Sequence, residues 1–148
     1  MIKVYTCGTF DTFHIGHVNI LRRCRAHGDY LLVGVSTDEF NAMKGKKALY
    51  PFKHRLEIVR SLRFVDEARA ENSWEEKRII IQEHKIDKFI ISDDWAGKFD
   101  GLKDLCEVIY LPRTPDISSS SIRDSLGVTD SSKRLTTSIL PGFSVSEQ

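Results

Sequence analysis

Two histidines lie three residues apart in the segment GTFDTFHIGH, residues 8–17. An apolar run precedes the segment and helical periodicity follows it, so His14 and His17 flank the start of a helix. The free N–H groups at a helix start favour an anion, and both imidazoles could donate hydrogen bonds to phosphate oxygens. Gly8 permits a tight turn here, and Thr9 adds a hydroxyl. The pattern indicates a phosphate site whose hydrogen bonds strengthen as charge moves onto a leaving pyrophosphate.

The histidine pair has two other interpretations. It could cap the helix or lie exposed without a ligand, or it could bind a metal ion. No cysteine and no third histidine lies at a spacing typical of zinc ligands, and we therefore expect no metal site.

Two lysines, Lys44 and Lys46, lie in the segment MKGKKA, which Gly45 makes pliable. Either ammonium could reach over bound phosphates as a movable charge. A short run of lysines is also typical of a solvated surface, so the phosphate interpretation depends on the other motifs.

A second polar segment, PRTPDISSSSIR, follows the last apolar run. Arg113 offers a guanidinium fork, and Ser118 to Ser121 offer hydroxyls at the start of a short helix. These groups suit a second phosphate site, although an ordinary loop with a serine cap would use the same residues.

The acidic residues near these segments have two interpretations each. Asp94, next to Asp93, could accept a hydrogen bond from a base amino group or a ribose hydroxyl, or it could cap a turn. Asp11 and Asp38 are open in the same way. We interpret Trp74 as a packing residue.

Apolar runs alternate with amphipathic stretches along the chain, which is typical of an α/β protein with an open, mostly parallel sheet. Strands are predicted at 2–7, 30–36, within 63–70, at 88–92 and at 107–111, and helices at 16–27, 51–62, 73–85, 99–105 and after a cap at Ser118 or Ser119. We therefore expect a Rossmann-like sheet of about five strands flanked by helices. In such sheets ligands bind at the carboxyl ends of the strands, where all the polar segments would meet.

Composition limits the organisation and the partners of the chain. With 148 residues, 41% of them hydrophobic, we expect one domain at 1–127 and a flexible or partner-packed tail at 128–148, which is rich in Ser and Thr. The 22 basic and 21 acidic residues are interspersed, so no basic stripe for nucleic acid or an anionic membrane is expected. An odd, scattered set of three cysteines and the lack of a signal pattern or a long apolar run favour a soluble, cytoplasmic protein.

The absence of three common motifs argues against kinase-like chemistry, hydride transfer and a covalent serine nucleophile. The chain has neither the P-loop nor the G-x-G-x-x-G pattern, and its serine run lacks the nucleophile elbow G-x-S-x-G. Two phosphate sites without a covalent nucleophile indicate direct in-line displacement, catalysed by positioning and charge.

The two motif segments resemble a known family. GTFDTFHIGH is similar to the first signature of the H-x-G-H nucleotidyltransferase superfamily, and RTPDISSSSIR resembles the second signature of its cytidylyltransferases. GDYLLVGVSTDEFN, KGKKALYPFKHR, RFVDEA and DDWAGKFDGLKDLCEVIYLPRT resemble the glycerol-3-phosphate cytidylyltransferase family in order, up to about residue 126. The resemblance implies the nucleotidyltransferase fold.

It also implies roles for individual residues. The positions that would bind the nucleotide are Thr9, Phe10, Asp11, His14, Ile15, Gly16, His17, Lys46, Arg63, Asp94, Arg113, Thr114, Ile117, Ser118, Ser119 and Ser120. Among these, His14, His17, Lys46 and Arg113 would be catalytic. Lys44, Arg55 and Lys77 would bind the acceptor substrate.

The implied reaction transfers CMP from CTP to sn-glycerol 3-phosphate, and it yields CDP-glycerol and pyrophosphate. Mg2+ would enter with the triphosphate, and the product would serve as a precursor of teichoic acid or another glycerol-phosphate polymer. The segment RFVDEA resembles a stretch at the family's dimer interface, so a homodimer is expected.

Three alternatives stay open. Pro115 and Asp116 stand where the family has an acidic residue and glycine, so another small phosphate ester could be the acceptor. The chain could also be a nucleotide-binding regulator without turnover, or an adenylyltransferase of the same superfamily.

Overall fold

The computed structural model describes residues 1–115 and 118–127. The strands are β1 (Lys3–Gly8), β2 (Tyr30–Ser36), β3 (Glu67–Glu71), β4 (Lys88–Ser92) and β5 (Glu107–Leu111). The helices are α1 (Ile15–Ala26), α2 (Asp38–Met43), α3 (Phe52–Arg60), α4 (Glu76–Glu83) and α5 (Ser119–Ser125), with 3₁₀ turns at Asp93–Trp95 and Asp100–Leu102. The predicted tail at 128–148 lies outside the described residues, so the domain boundary stays a prediction.

The five strands form one parallel sheet in the order β3-β2-β1-β4-β5. This order confirms the predicted open α/β architecture. The chain moves outward from β1 to β3 and then crosses back to β4, which pairs with the other side of β1. In sheets of this kind, the ligand crevice lies at the carboxyl ends of the strands where the order reverses.

Each face of the sheet has its own hydrophobic core. Val33 of β2 packs in one core with Leu21 of α1 and Val59 of α3. Leu32 lies in the other core with Ile80 of α4. Neighbouring residues of a strand point to opposite faces, and helices cover both faces, so most residues of the inner strands are apolar.

The predicted and observed elements differ in two places. The helix predicted at 99–105 is wrong, because Gly97 and Gly101 disfavour helix here and the Phe99 N–H donates to the Tyr110 hydroxyl at 3.0 Å. Helix α2 was not predicted. It begins after Thr37, whose hydroxyl accepts from the Phe40 N–H at 3.1 Å.

No helix within the described ranges is long and apolar enough to cross a membrane.

Candidate active site

A cavity of about 360 Å³ lies at the carboxyl ends of the strands. It brings together the predicted site residues Thr9, Phe10, Asp11, His14, Gly16, His17, Lys44, Lys46, Lys77, Asp94, Arg113, Thr114, Ser118, Ser119 and Ser120. These residues come from the loops that follow several strands, from the segment after α2, and from the starts of α1, α4 and α5. The polar segments therefore meet at the carboxyl ends of the strands, as predicted from the sequence.

The two histidines form the beginning of α1. His14 is the N-cap, and its Nδ1 accepts from the Gly16 N–H at 3.0 Å, while His17 Nδ1 accepts from the His14 N–H at 3.2 Å. The rings stack with centroids 3.9 Å apart. Since both Nδ1 atoms accept, each neutral ring carries its hydrogen on Nε2. The Nε2 of His14 is buried and has no hydrogen-bond partner among the described residues.

Both histidines are held neutral. Burial, and then the neighbouring His14 and Arg113, together lower the pKa of His17 to about 3. The pKa of His14 is also lowered, first by burial and then by Arg113. A neutral imidazole that donates from Nε2 can bind a phosphate oxygen without giving up its proton.

The loop between β1 and α1 has a strained backbone, and hydrogen bonds to another segment stabilise it. Phe10 and Thr12 have φ angles of 55° and 45°, in the left-handed region that non-glycine residues rarely adopt. The Asp11 carboxylate between them accepts from the backbone N–H groups of Leu49 and Tyr50, at 2.9 and 3.0 Å. Asp11 therefore stabilises the loop that carries the histidines.

The second motif closes the cavity from α5. Ser118 is the N-cap of this helix and forms a capping box with Ser121. The Ser119 hydroxyl donates to the backbone oxygen of Asp11 at 2.6 Å, and the Thr114 hydroxyl accepts from Asn19 at 3.1 Å. These bonds join the two motifs, which lie about a hundred residues apart in the chain.

The acidic residues of the cavity wall are all paired with cations. Asp11 pairs with Arg123 at 3.4 Å, Glu71 pairs with Lys77 at 3.0 Å, and Asp94 pairs with an arginine, Arg113, at 3.1 Å. The remaining lysines of the wall are Lys44, Lys46 and Lys47, and none of them has a carboxylate partner among the described residues. The cavity therefore carries surplus positive charge that suits a polyanion.

Two of the predicted lysines lie together. Lys77 is 3% exposed, and burial lowers its pKa, but the interactions with Cys7 and Glu71 together outweigh burial and raise the pKa. Lys44 donates to the Ser36 hydroxyl at 3.2 Å. Burial, and then repulsion from Lys46, lower the pKa of Lys44 to about 8.

The structure corrects the prediction that Arg55 binds substrate. Its side chain is fully buried and does not line the cavity. The guanidinium donates to the backbone oxygens of Thr9, Ser36 and Tyr50 and to the Asp38 carboxylate, at 2.7 to 2.9 Å. Arg55 therefore holds the ends of β1 and β2 together behind the site.

Two further predicted residues lie away from the cavity. Arg63 is exposed in the turn before β3, at the amino ends of the strands, which is the opposite edge of the sheet. Ile15 is 53% exposed at the start of α1 and is absent from the cavity wall. Both placements contradict a role for these side chains in binding a nucleotide in this cavity. Ile117 lies outside the described residues.

The sequence reasoning missed Tyr5 and Glu71. Glu71 is the last residue of β3 and is 1% exposed, and the Tyr5 hydroxyl donates to it at 2.6 Å. A carboxylate that directly ends a strand was a signal for Glu71, because strand ends border the crevice. Tyr5 gave no signal, since it reads as an ordinary strand residue. Trp74, interpreted as a packing residue, is 41% exposed and lines the cavity.

The arrangement can bind a chain of phosphates and a second phosphate compound together. The two imidazoles form one group of lining residues with Arg113, and Lys44 and Lys77 form another over the ring of Trp74. The described residues contain no cluster of three or more metal-ligating side chains. The positioned hydrogen-bond donors of the wall can stabilise developing negative charge.

Known proteins are similar to this chain in sequence and in fold. Glycerol-3-phosphate cytidylyltransferase of Bacillus subtilis (strain 168) is 52% identical over 126 residues, or 85% of this chain and 98% of that protein. Ethanolamine-phosphate cytidylyltransferase of Arabidopsis thaliana is 31% identical over 82% of this chain and 31% of that protein. The solved lipopolysaccharide core biosynthesis protein from Thermoplasma volcanium is similar with a TM-score of 0.63 and 24% identity, over 77% of this chain and 98% of that one, which shows the fold alone.

Residues 5–125 match the sequence profile described as cytidylyltransferase-like. This range includes both motif segments and all five strands except the start of β1. The resemblance noted from the motifs is thus confirmed, and the chain belongs to the cytidylyltransferase-like family.

Proposed function

We propose that the protein transfers CMP from CTP to sn-glycerol 3-phosphate and forms CDP-glycerol and pyrophosphate. The observation that carries the proposal is that one cavity is lined both by the stacked histidines with Arg113 and by the lysine pair Lys44 and Lys77. The neutral histidines at the start of α1 suit the triphosphate, and Lys44 and Lys77 suit the phosphate of the acceptor. The identity to the Bacillus subtilis protein supports this choice of nucleotide and acceptor.

The reaction is an in-line displacement. A phosphate oxygen of glycerol 3-phosphate attacks the α-phosphorus of CTP, and the bond from that phosphorus to the bridging oxygen of the β-phosphate breaks. Negative charge then grows on the departing pyrophosphate. The Nε2–H groups of His14 and His17, together with Arg113, donate hydrogen bonds that become stronger as this charge develops.

Mg2+ would accompany the triphosphate. Mg2+ usually retains waters and substrate phosphate oxygens as ligands and is seldom held in an all-protein cage. This agrees with a wall whose acidic residues, Asp11, Glu71 and Asp94, are already paired with cations. When bound, the ion would neutralise charge on the phosphates, while the side chains orient them.

We also propose a homodimer in the cytoplasm, whose product supplies a glycerol-phosphate polymer such as teichoic acid. Support for the dimer comes from the segment RFVDEA, in which Arg63 and Asp66 are exposed just before the edge strand β3. Sedimentation equilibrium would report two copies for a dimer and one copy if the proposal is wrong.

The test of the reaction is pyrophosphate release from purified protein with Mg2+. CTP and ATP are each supplied with and without glycerol 3-phosphate. We expect release only when CTP and glycerol 3-phosphate are both present. Release that requires ATP instead of CTP would indicate an adenylyltransferase. Release only with another phosphate ester would show that glycerol 3-phosphate is not the acceptor. CTP binding without any release would indicate a regulator.

A further inference from the structure

The ammonium of Lys77 lies in a cage made by the protein itself. The Nζ atom is 3.0 Å from Glu71 Oε1 and lies 4.7 Å from the ring centre of Trp74 and 5.3 Å from that of Phe99. The Lys77 side chain is 3% exposed. A carboxylate beside aromatic faces is the arrangement by which proteins bind alkylammonium ions. Here a lysine of the same chain occupies it.

The carboxylate of the cage is firmly fixed. Tyr5 donates its hydroxyl to Glu71 Oε2 at 2.6 Å, so both oxygens of Glu71 have partners. The Tyr5 hydroxyl can lie there only because residue 34 is glycine, since a Cβ at Gly34 would come within 2.6 Å of the hydroxyl oxygen. These contacts are built by β1, β2 and β3 and do not depend on a ligand.

A second ammonium group, that of Lys44, lies at the same wall of the cavity. The Lys44 Nζ lies 4.3 Å from the ring centre of Phe40 and 5.6 Å from that of Trp74. An incoming cation would therefore meet two ammonium groups and find the aromatic faces occupied. A phosphate would meet the same groups as hydrogen-bond donors, because an ammonium has three N–H groups and Lys77 gives one to Glu71.

We propose that Lys77, by filling the cage of Glu71, Trp74 and Phe99, determines the charge of the acceptor. The site then takes a phosphate ester whose remaining part is uncharged, and it rejects one that carries an ammonium group. This inference rests on the proposed cytidylyl transfer and adds the reason for its acceptor selectivity. It separates glycerol 3-phosphate from phosphoethanolamine, the type of acceptor named for the Arabidopsis thaliana relative.

The first experiment compares Lys77→Met with the wild type. In each, kcat/KM is measured with CTP for glycerol 3-phosphate and for phosphoethanolamine. We expect the ratio of the two values to shift at least tenfold toward phosphoethanolamine, because the variant leaves the Glu71 carboxylate between aromatic faces without its ammonium partner. The matched control is Lys98→Met, which removes an exposed ammonium that lies 5.8 Å from the Trp95 ring centre, outside the cavity wall. Its ratio should equal that of the wild type.

A double variant covers the case in which Lys77→Met fails to fold with Glu71 unpaired. Lys77→Met with Glu71→Gln removes both charges, and Tyr5 can still donate to the amide oxygen. We expect it to lose the wild-type preference without the gain for phosphoethanolamine, which requires the carboxylate. A wild type that uses both acceptors equally well, or variants that all keep the wild-type ratio, would overturn the proposal.

A binding measurement separates this inference from the proposed function. Trp74 and Trp95 are the two tryptophans of the chain, and both line the cavity. Titration with ethylammonium chloride should change the emission of Lys77→Met and leave the wild type unchanged. Absence of turnover with CTP and glycerol 3-phosphate would refute the function, yet the titration would still decide whether Lys77 fills the cage. Ethylammonium binding by the wild type would refute the cage.

Discussion

His14 performs two tasks that a pair of substitutions can separate. Its Nδ1 accepts from the Gly16 N–H at 3.0 Å and caps α1, while its Nε2–H is buried and has no partner among the described residues. Replacement by Ala removes both groups. Replacement by Asn keeps a side-chain oxygen that caps the helix, since Asn is among the best N-cap residues, but it removes the Nε2 donor.

The magnitudes of the two effects differ. Loss of one donor to developing charge costs about 10²–10³ in kcat, or about 2.7–4 kcal/mol, and both variants should show this loss. Loss of the cap costs about 1 kcal/mol of unfolding free energy, and only His14→Ala should show it. His14→Asn should therefore be stable and slow, and His14→Ala should be less stable and equally slow.

Pyrophosphate release at saturating CTP and glycerol 3-phosphate gives kcat, and urea unfolding gives the stability. If His14→Asn retains kcat within tenfold of the wild type, Nε2 is not the donor to the leaving group. If His14→Ala unfolds at the same urea concentration as His14→Asn, the capping bond does not contribute to stability.

Three further predictions concern pH and packing. The kcat/KM for glycerol 3-phosphate should fall as pH rises through about 8, because Lys44 then loses its charge, and kcat should fall at higher pH since the bound phosphate raises that pKa. His17 should make unfolding easier as pH falls from 6.5 toward about 3, by up to about 1.4 kcal/mol per pH unit, because only the unfolded chain takes up the proton. Arg55→Lys should cost about 2 kcal/mol or more in urea unfolding, since lysine cannot reproduce the guanidinium bonds to Thr9 and Ser36.

Each of these has a matched control. If kcat/KM falls above pH 8 in Lys44→Met as it does in the wild type, a group other than Lys44 causes the fall. A stability profile between pH 4 and 6.5 that is unchanged in His17→Gln would contradict the burial argument. Arg60→Lys, on the exposed side of the same helix, should change the free energy of unfolding by no more than about 0.5 kcal/mol. A loss equal to that of Arg55→Lys would show that the buried hydrogen bonds of Arg55 are not the cause of its effect.

Three strands were located to the residue, and each contains a continuous apolar run: Tyr30–Ser36, Lys88–Ser92 and Glu107–Leu111. The first two are inner strands of a sheet with helices on both faces, where burial selects apolar residues. The edge strand Glu67–Glu71 was located only approximately, within 63–70. Its residues alternate between charged side chains and alanine, so its apolar signal is weak.

The sequence by itself determined the two motif segments, because their functional groups are local. His14 and His17 lie one helix turn apart at the start of α1, and Ser118 is the N-cap of α5. Their spacing in the sequence is therefore enough to place each of these groups at the start of its helix. Only the tertiary structure decided the roles of Arg55 and Lys77. Both are basic residues on helices, yet one is turned inward to bond the carbonyls behind the cavity and the other fills a cage within it. The direction of a charged side chain depends on which strand ends and aromatic rings the packed sheet brings beside it, and periodicity contains no such information.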